Sequence, residues 1–157
     1  MSETPDLTST KKRAIKILGN RYMSKSDLER RLVSKGETEE AAQETAQWLE
    51  DIGAVNDEDL ADAITRHYIV KGYGLARIKD ELYKRGIPRE MWDDVLYNID
   101  DDVFEEAAFN FLEKKLKGSI DTNEIRRAMD ALLRRGFSYE QSRVAISKYT
   151  DHNEDKS

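Results

Sequence analysis

Apolar positions along this chain recur at helical spacing, in short runs that end on glycine. Leu28 and Leu32 precede Gly36, Ile78 and Leu82 precede Gly86, and Ala128 and Leu132 precede Gly136, eight and four residues ahead each time. Residues at i and i+4 share one face of an α-helix, so three amphipathic helices with one common ending are predicted. The three glycines are 50 residues apart and each follows a basic residue, Lys35, Arg85 or Arg135. A constant period of this length marks a structural unit repeated in tandem. A second apolar stripe follows each glycine: Thr45, Ala46 and Leu49, then Val95, Leu96 and Ile99, then Ala145, Ile146 and Tyr149.

Helix punctuation completes the pattern. Gly36, Gly53, Gly72, Gly86, Gly118 and Gly136 stand where helices should end in the left-handed conformation that glycine adopts without penalty. Start signals lie between them at Asn56, Asp121-x-x-Glu124, Ser138-x-x-Gln141 and Pro88. The predicted helices are 11–23, 26–35 and 38–52, then 57–71, 75–85 and 88–99, then 103–117, 123–135 and 139–149. The fold class is therefore all-α: three tandem three-helix repeats of helix-turn-helix type, at 11–55, 56–100 and 101–149, forming an elongated array between loose polar tails at 1–10 and 150–157. Units of this size sit near the lower limit for burying a core of their own, so they are expected to lean on one another. Trp92 occupies the slot of Ala42 and Ser142 and is expected to pack inside rather than stack on a ligand.

Composition narrows the function. Charged residues make up 37% of the chain and aromatics 8%, so the interior must rest on Leu, Ile, Val and Ala. There is no cysteine, which removes disulfides, thiolate metal sites and cysteine nucleophiles. Residues 1–10 lack the basic start and apolar core of a leader, and no window approaches the ~18 consecutive apolar residues of a membrane span. A soluble, cytoplasmic protein is expected. His67 and His152 are the two histidines and lack metal-site spacing. The acidic clusters Asp93-Asp94, Asp100-Asp101-Asp102 and Glu105-Glu106 lack the alternation of a calcium loop. No catalytic constellation, metal site or cofactor motif emerges, so an enzyme is not predicted.

The net charge of -6 disfavours indiscriminate binding to nucleic acid, but the charges are sorted. The predicted helix 38–52 presents Glu39, Glu40, Glu44, Glu50 and Asp51, a face that phosphate would repel. Cations gather instead on the second helix of each repeat: Arg30, Arg31 and Lys35, then Arg77, Lys84 and Arg85, then Arg126, Arg127, Arg134 and Arg135. Lys35, Arg85 and Arg135 also suit the negative end of the helix dipole. Gly72-Tyr73-Gly74 precedes a helix start, where free backbone donors attract anions. It lacks the strand, third glycine and Lys-Ser/Thr ending of a nucleotide loop and reads as a tight turn. Lys71 and Arg77 flank it as possible contacts for an anionic partner.

Specific strings now matter. Ser24-Lys25-Ser26-Asp27-Leu28-Glu29-Arg30-Arg31-Leu32 through Lys35-Gly36, then Gly53-Ala54-Val55-Asn56-Asp57, then Arg66, Lys71-Gly72-Tyr73-Gly74 and Arg77-Ile78-Lys79-Asp80-Glu81-Leu82, resemble the RecX family of bacterial recombination regulators. Arg134-Arg135-Gly136-Phe137-Ser138-Tyr139 is similar to the family's last repeat. Met23, Asn56-Asp57 and Leu60 depart mildly from the family pattern. The resemblance implies a monomeric protein that binds the RecA nucleoprotein filament on single-stranded DNA and mainly inhibits its growth, ATPase, strand exchange and coprotease activity. It implies no cofactor, metal or membrane, and at most weak direct DNA binding. The contact surface is then expected at the basic second helices together with Arg66, Lys71, Gly72, Tyr73, Gly74 and Arg77. A helix-turn-helix DNA-binding protein acting without RecA is the alternative.

Overall fold

The computed structural model describes residues 6–154, and all its regular structure is helical. The helices are α1 (Thr8–Leu18), α2 (Lys25–Ser34), α3 (Glu39–Asp51), α4 (Asp57–Val70), α5 (Leu75–Lys84), α6 (Trp92–Leu96), α7 (Asp101–Leu116), α8 (Thr122–Arg134) and α9 (Tyr139–Glu154). A 3-10 turn, Arg89–Met91, leads into α6.

The starts follow the capping chemistry written in the sequence. Side-chain oxygens of Ser24, Thr38, Asn56 and Asp121 accept the amide protons of Asp27, Ala41, Asp59 and Glu124. Ser138 and Gln141 form a reciprocal capping box, each backbone N–H bonding the other's side chain at 3.0 Å. The six glycines read as helix ends all have positive φ.

Three predicted elements differ. Helix α1 lies earlier than 11–23, because Gly19 at φ +49° ends it and donates to the Ile15 carbonyl. Its start reaches into the expected loose tail: Asp6 accepts the Thr8 N–H at 2.9 Å, and buried Thr10 donates to Glu37 at 2.8 Å. The predicted helix 88–99 breaks into the 3-10 turn and the short α6. Trp92 is drawn back under the turn, its indole N–H bonding the Ile87 carbonyl at 3.0 Å, and α7 already begins at Asp101. Residues 150–154, expected to be loose, continue α9, where Asn153 donates to the Tyr149 carbonyl at 2.8 Å and His152 lies edge-on to Phe109 of α7. Residues 1–5 and 155–157 of the two expected tails lie outside the described residues.

The predicted stripe of the second helices is the core. Leu28, Leu32, Ile78, Leu82, Ala128 and Leu132 have no exposed surface. The interior is divided in two. One cluster, from Ala14 to Val55, joins α1, α2 and α3. The other runs from Leu60 to Tyr149 and is shared by α4 through α9. Trp92 belongs to that second core, held by its bond to Ile87 and with the Arg89 guanidinium 5.2 Å from its ring centre. Val95, Leu96 and Ile99 are only partly buried, a consequence of the shortened α6.

Candidate partner-binding surface and the joints between units

The Gly72-Tyr73-Gly74 turn is filled by the chain itself. The Gly136 turn docks on the start of α5, so that the amide protons of Gly74 and Ala76 bond the carbonyls of Arg135 and Gly136 at 2.9 and 3.1 Å. Helix-start donors of this kind are anion sites only while they are open, and here backbone carbonyls occupy them. The approach is so close that a Cβ on Gly74 would collide with the Gly136 backbone. Reciprocally, a Cβ on Gly136 would stand 2.5 Å from the Arg77 nitrogen.

Arg135 holds this joint. Its Nε donates to the Gly72 carbonyl and its Nη2 to the Lys71 carbonyl, both at 2.8 Å. Its guanidinium stacks 4.0 Å from the Tyr73 ring centre and 4.7 Å from that of Phe111. The Arg77 guanidinium also lies 5.1 Å from the Tyr73 ring centre and pairs with Glu81 at 3.5 Å. Tyr68 closes the network edge-on to Tyr73. Burial, followed by the neighbouring Glu81 carboxylate, pushes the Tyr68 hydroxyl above its ordinary pKa, with Arg77 opposing.

The same joint recurs one unit earlier. Arg85 donates to the Tyr22 carbonyl at 3.2 Å, spanning the same 63 residues as Arg135 to Gly72. Ser26 Oγ donates to the Gly86 carbonyl at 2.8 Å, where in the later joint the Ala76 N–H serves Gly136. A Cβ on Gly86 would collide with Ser26 and crowd Ser24. A further bond seals this joint, from the Lys25 N–H to Asp57 Oδ1 at 2.9 Å. Burial pushes the Asp57 carboxyl above its ordinary pKa, against the lowering effect of that bond. At Gly36, the first of the three glycines, a Cβ would meet nothing within 4 Å.

The cations expected on one surface thus divide into two sets. Arg85 and Arg135 turn inward to tie joints, and Arg77 is held in the aromatic network. Arg30, Arg31, Lys35, Arg66, Lys71, Lys84, Arg126, Arg127 and Arg134 are exposed. Arg30 is paired with Asp27, and Lys84 lies 3.9 Å from Glu81. Arg127 and Arg134 share an open depression with Lys115, Glu124 and Asp130 between α7 and α8. Lys71 and Lys114 border another, lined by Val70, Val103 and Phe111. Gly72 and Gly74 are buried, and Tyr73 lies beneath Arg135. Sequence reasoning missed Tyr22, Ser26 and Asp57 as joint residues, although the 50-residue period aligns Tyr22 with Gly72 and Ser24 with Gly74.

Comparison with known proteins places this repeat. The regulatory protein RecX of Xanthomonas axonopodis pv. citri (strain 306) is 32% identical over 135 residues, covering 85% of this chain and 83% of the relative. The chain belongs to the RecX family. The RecX protein of Vibrio vulnificus (strain CMCP6) is 28% identical over 92% of this chain and 95% of its own length. Residues 56–96 match the family model described as RecX, second three-helix domain, which takes in Arg66, the Gly72 turn and Arg77. Among solved structures, RecX from Lactobacillus salivarius superposes with a TM-score of 0.82 at 23% identity, over 93% of this chain and 97% of that one. A second RecX structure gives 0.78 at 19% identity, over 90% and 73%. The all-helical tandem architecture is that of these RecX structures.

Among the described residues, no group of three or more His, Cys, Asp or Glu residues is placed to hold a metal ion. No helix of the described residues is long and apolar enough to cross a membrane.

Proposed function

We infer that this chain is a regulatory protein that acts by binding, with the RecA nucleoprotein filament on single-stranded DNA as its partner. In this reading it restrains filament growth and the filament's ATPase, strand-exchange and coprotease activities, working as a cytoplasmic monomer of units 11–55, 56–100 and 101–149. It needs no cofactor and performs no catalysis. The observation that carries the reading is the 32% identity to a regulatory RecX protein across 85% of the chain. RecA as partner is what membership of that family implies.

The distribution of charge supports binding to a protein assembly over reading of duplex DNA. Helix α3, where a helix-turn-helix protein would present cations to a groove, exposes Glu39, Glu40 and Glu44. Arg126, Arg127 and Arg134 on α8, with Arg30, Arg31, Lys35, Arg66, Lys71 and Lys84, form the exposed cationic contacts of the proposal. They also allow weak direct contact with DNA phosphate.

Co-sedimentation with RecA filaments assembled on single-stranded DNA tests the reading, beside titrations of naked single- and double-stranded DNA at several salt concentrations. The chain is expected to pellet with filaments and to bind naked DNA weakly, with affinity falling steeply as salt rises. Tight binding to naked DNA with none to filaments would establish the helix-turn-helix alternative.

A further inference from the structure

One surface feature recurs with the period of the chain and takes no part in the joints. Val33, Tyr83 and Leu133 lie three residues before Gly36, Gly86 and Gly136, at the same 50-residue interval. All three are exposed, at 40%, 73% and 41%. Their neighbours Leu32, Leu82 and Leu132 are fully buried, and the next position on a helix is turned by about 100°. The fold therefore does not require an apolar side chain there.

Nor does the helix ending use it. The chain-reversing bonds run from the N–H of Glu37, Ile87 and Phe137 to the carbonyls of Leu32, Leu82 and Leu132 at 3.1, 3.0 and 3.2 Å. The hydrophobic contact that accompanies such an ending involves that buried leucine. Single exposed apolar residues are ordinary, but one slot filled this way in every unit is a pattern.

The surroundings identify the occupant. Glu29 and Arg30 flank Val33; Lys79, Asp80 and Lys84 flank Tyr83; Asp130 and Arg134 flank Leu133. Each apolar centre has a rim of both signs, and some of that charge is already paired, Arg30 with Asp27 and Lys84 near Glu81. Attraction to phosphate is strongest where cations stand without acids, and each of these rims holds an acid, Glu29, Asp80 or Asp130. An apolar centre inside a mixed polar rim is the anatomy of a protein–protein contact. Three equivalent anchors match a partner that offers the same hollow repeatedly, as subunits of a homopolymer do.

We propose that Val33, Tyr83 and Leu133 are equivalent anchors that dock into an apolar hollow, rimmed by both charge signs, on successive subunits of a protein filament. This rests on the reading of the chain as a RecA-filament binder and adds an apolar centre to the surface that already includes Arg30, Lys84 and Arg134. Linked anchors reinforce one another, so loss of all three costs far more than loss of one.

The test measures co-sedimentation of the full chain with RecA filaments on single-stranded DNA. Wild type is compared with Val33→Ser, Tyr83→Ser and Leu133→Ser, singly and combined, and with a combined Val33→Leu, Tyr83→Phe and Leu133→Val variant. Each serine change is expected to weaken binding several-fold and the combination about a hundredfold, with unaltered helical circular dichroism and unaltered weak DNA binding. The apolar combination should bind within about threefold of wild type, since such contacts tolerate similar hydrophobes. Should the serine combination lose helical content, the apolar combination alone decides: binding retained supports the anchors, and binding lost with the helices intact overturns them. A folded serine combination that pellets like wild type also overturns the proposal. Failure of wild type itself to pellet overturns the functional reading and this occupant with it.

Discussion

Arg135 donates through Nε to the Gly72 carbonyl at 2.8 Å, across 63 residues of chain. The same step from Arg85 reaches Tyr22. The basic residue before each repeat glycine is thus a tie between units wherever a preceding unit exists. The two ties are not equal. Arg135 makes two carbonyl bonds and stacks on two rings, within a joint backed by a shared core. Arg85 has a single bond at 3.2 Å, between cores that are separate.

Replacing Arg135 by alanine should therefore cost about 2 kcal/mol, from charge-assisted bonds to two carbonyls and the ring stack. Arg85→Ala should cost about 0.5 kcal/mol, the low end for one partly exposed bond. Urea unfolding of both variants measures the difference. Equal losses would contradict the asymmetry of the joints.

The repeat glycines should likewise differ in sensitivity. Gly36 needs only its positive φ, so Gly36→Ala should cost about 1 kcal/mol, the strain of a left-handed alanine. Gly136 has positive φ and also lies against the Arg77 backbone, adding an overpacking cost of about 1–3 kcal/mol. Gly74→Ala should destabilise through contact alone, because φ at Gly74 is -94° and its obstruction is the Gly136 backbone. Thermal unfolding of the three variants should rank Gly36→Ala as the mildest.

Asp57 makes a pH prediction. Burial raises its folded-state pKa above the unfolded value, so folding favours the protonated carboxyl. Wild type then loses stability as pH rises through the folded pKa, relative to a side chain that does not titrate. Asp57→Asn keeps an oxygen for the Lys25 N–H and carries no charge. Its stability advantage over wild type should grow from acid toward neutral pH and then level off. Urea unfolding at a series of pH values measures it, and an advantage that shrinks as pH rises would contradict the burial assigned to Asp57.

The exposed cations of α8 separate partner contact from folding. Arg126→Gln, Arg127→Gln and Arg134→Gln together should leave stability within about 0.5 kcal/mol, as is usual for exposed sites. They should weaken filament binding by about tenfold or more if these residues meet the partner, since charge complementarity governs such contacts. Unchanged binding would remove them from the contact surface.

Much of the fold was legible because its punctuation is local. Gly86, Ser138 and Asn56 act on residues within one turn, and their spacing is written in the chain. Helix α6 was not legible: its apolar stripe continues past Leu96, but Trp92 bonding back to Ile87 and the early start of α7 curtail it, and both are tertiary events. The end of α9 was hidden for a similar reason, since the polar run after Tyr149 is held by Asn153 and by the packing of His152 against α7. At the candidate site, the residues around Gly72 were found but their immediate partner was not. Sequence periodicity aligns Gly136 with Gly86, yet it does not say that these two glycine turns seat on the second helix of the unit before. That seating converts the apparent anion site at Gly74 into a joint.

The most direct measurement of the central claim is the ATPase rate of RecA filaments on single-stranded DNA during titration with the purified chain. The account predicts a saturable fall in rate at chain concentrations below that of RecA, with no ATP hydrolysis by the chain alone. A rate unchanged at equimolar chain, under conditions where the chain is folded, would contradict it.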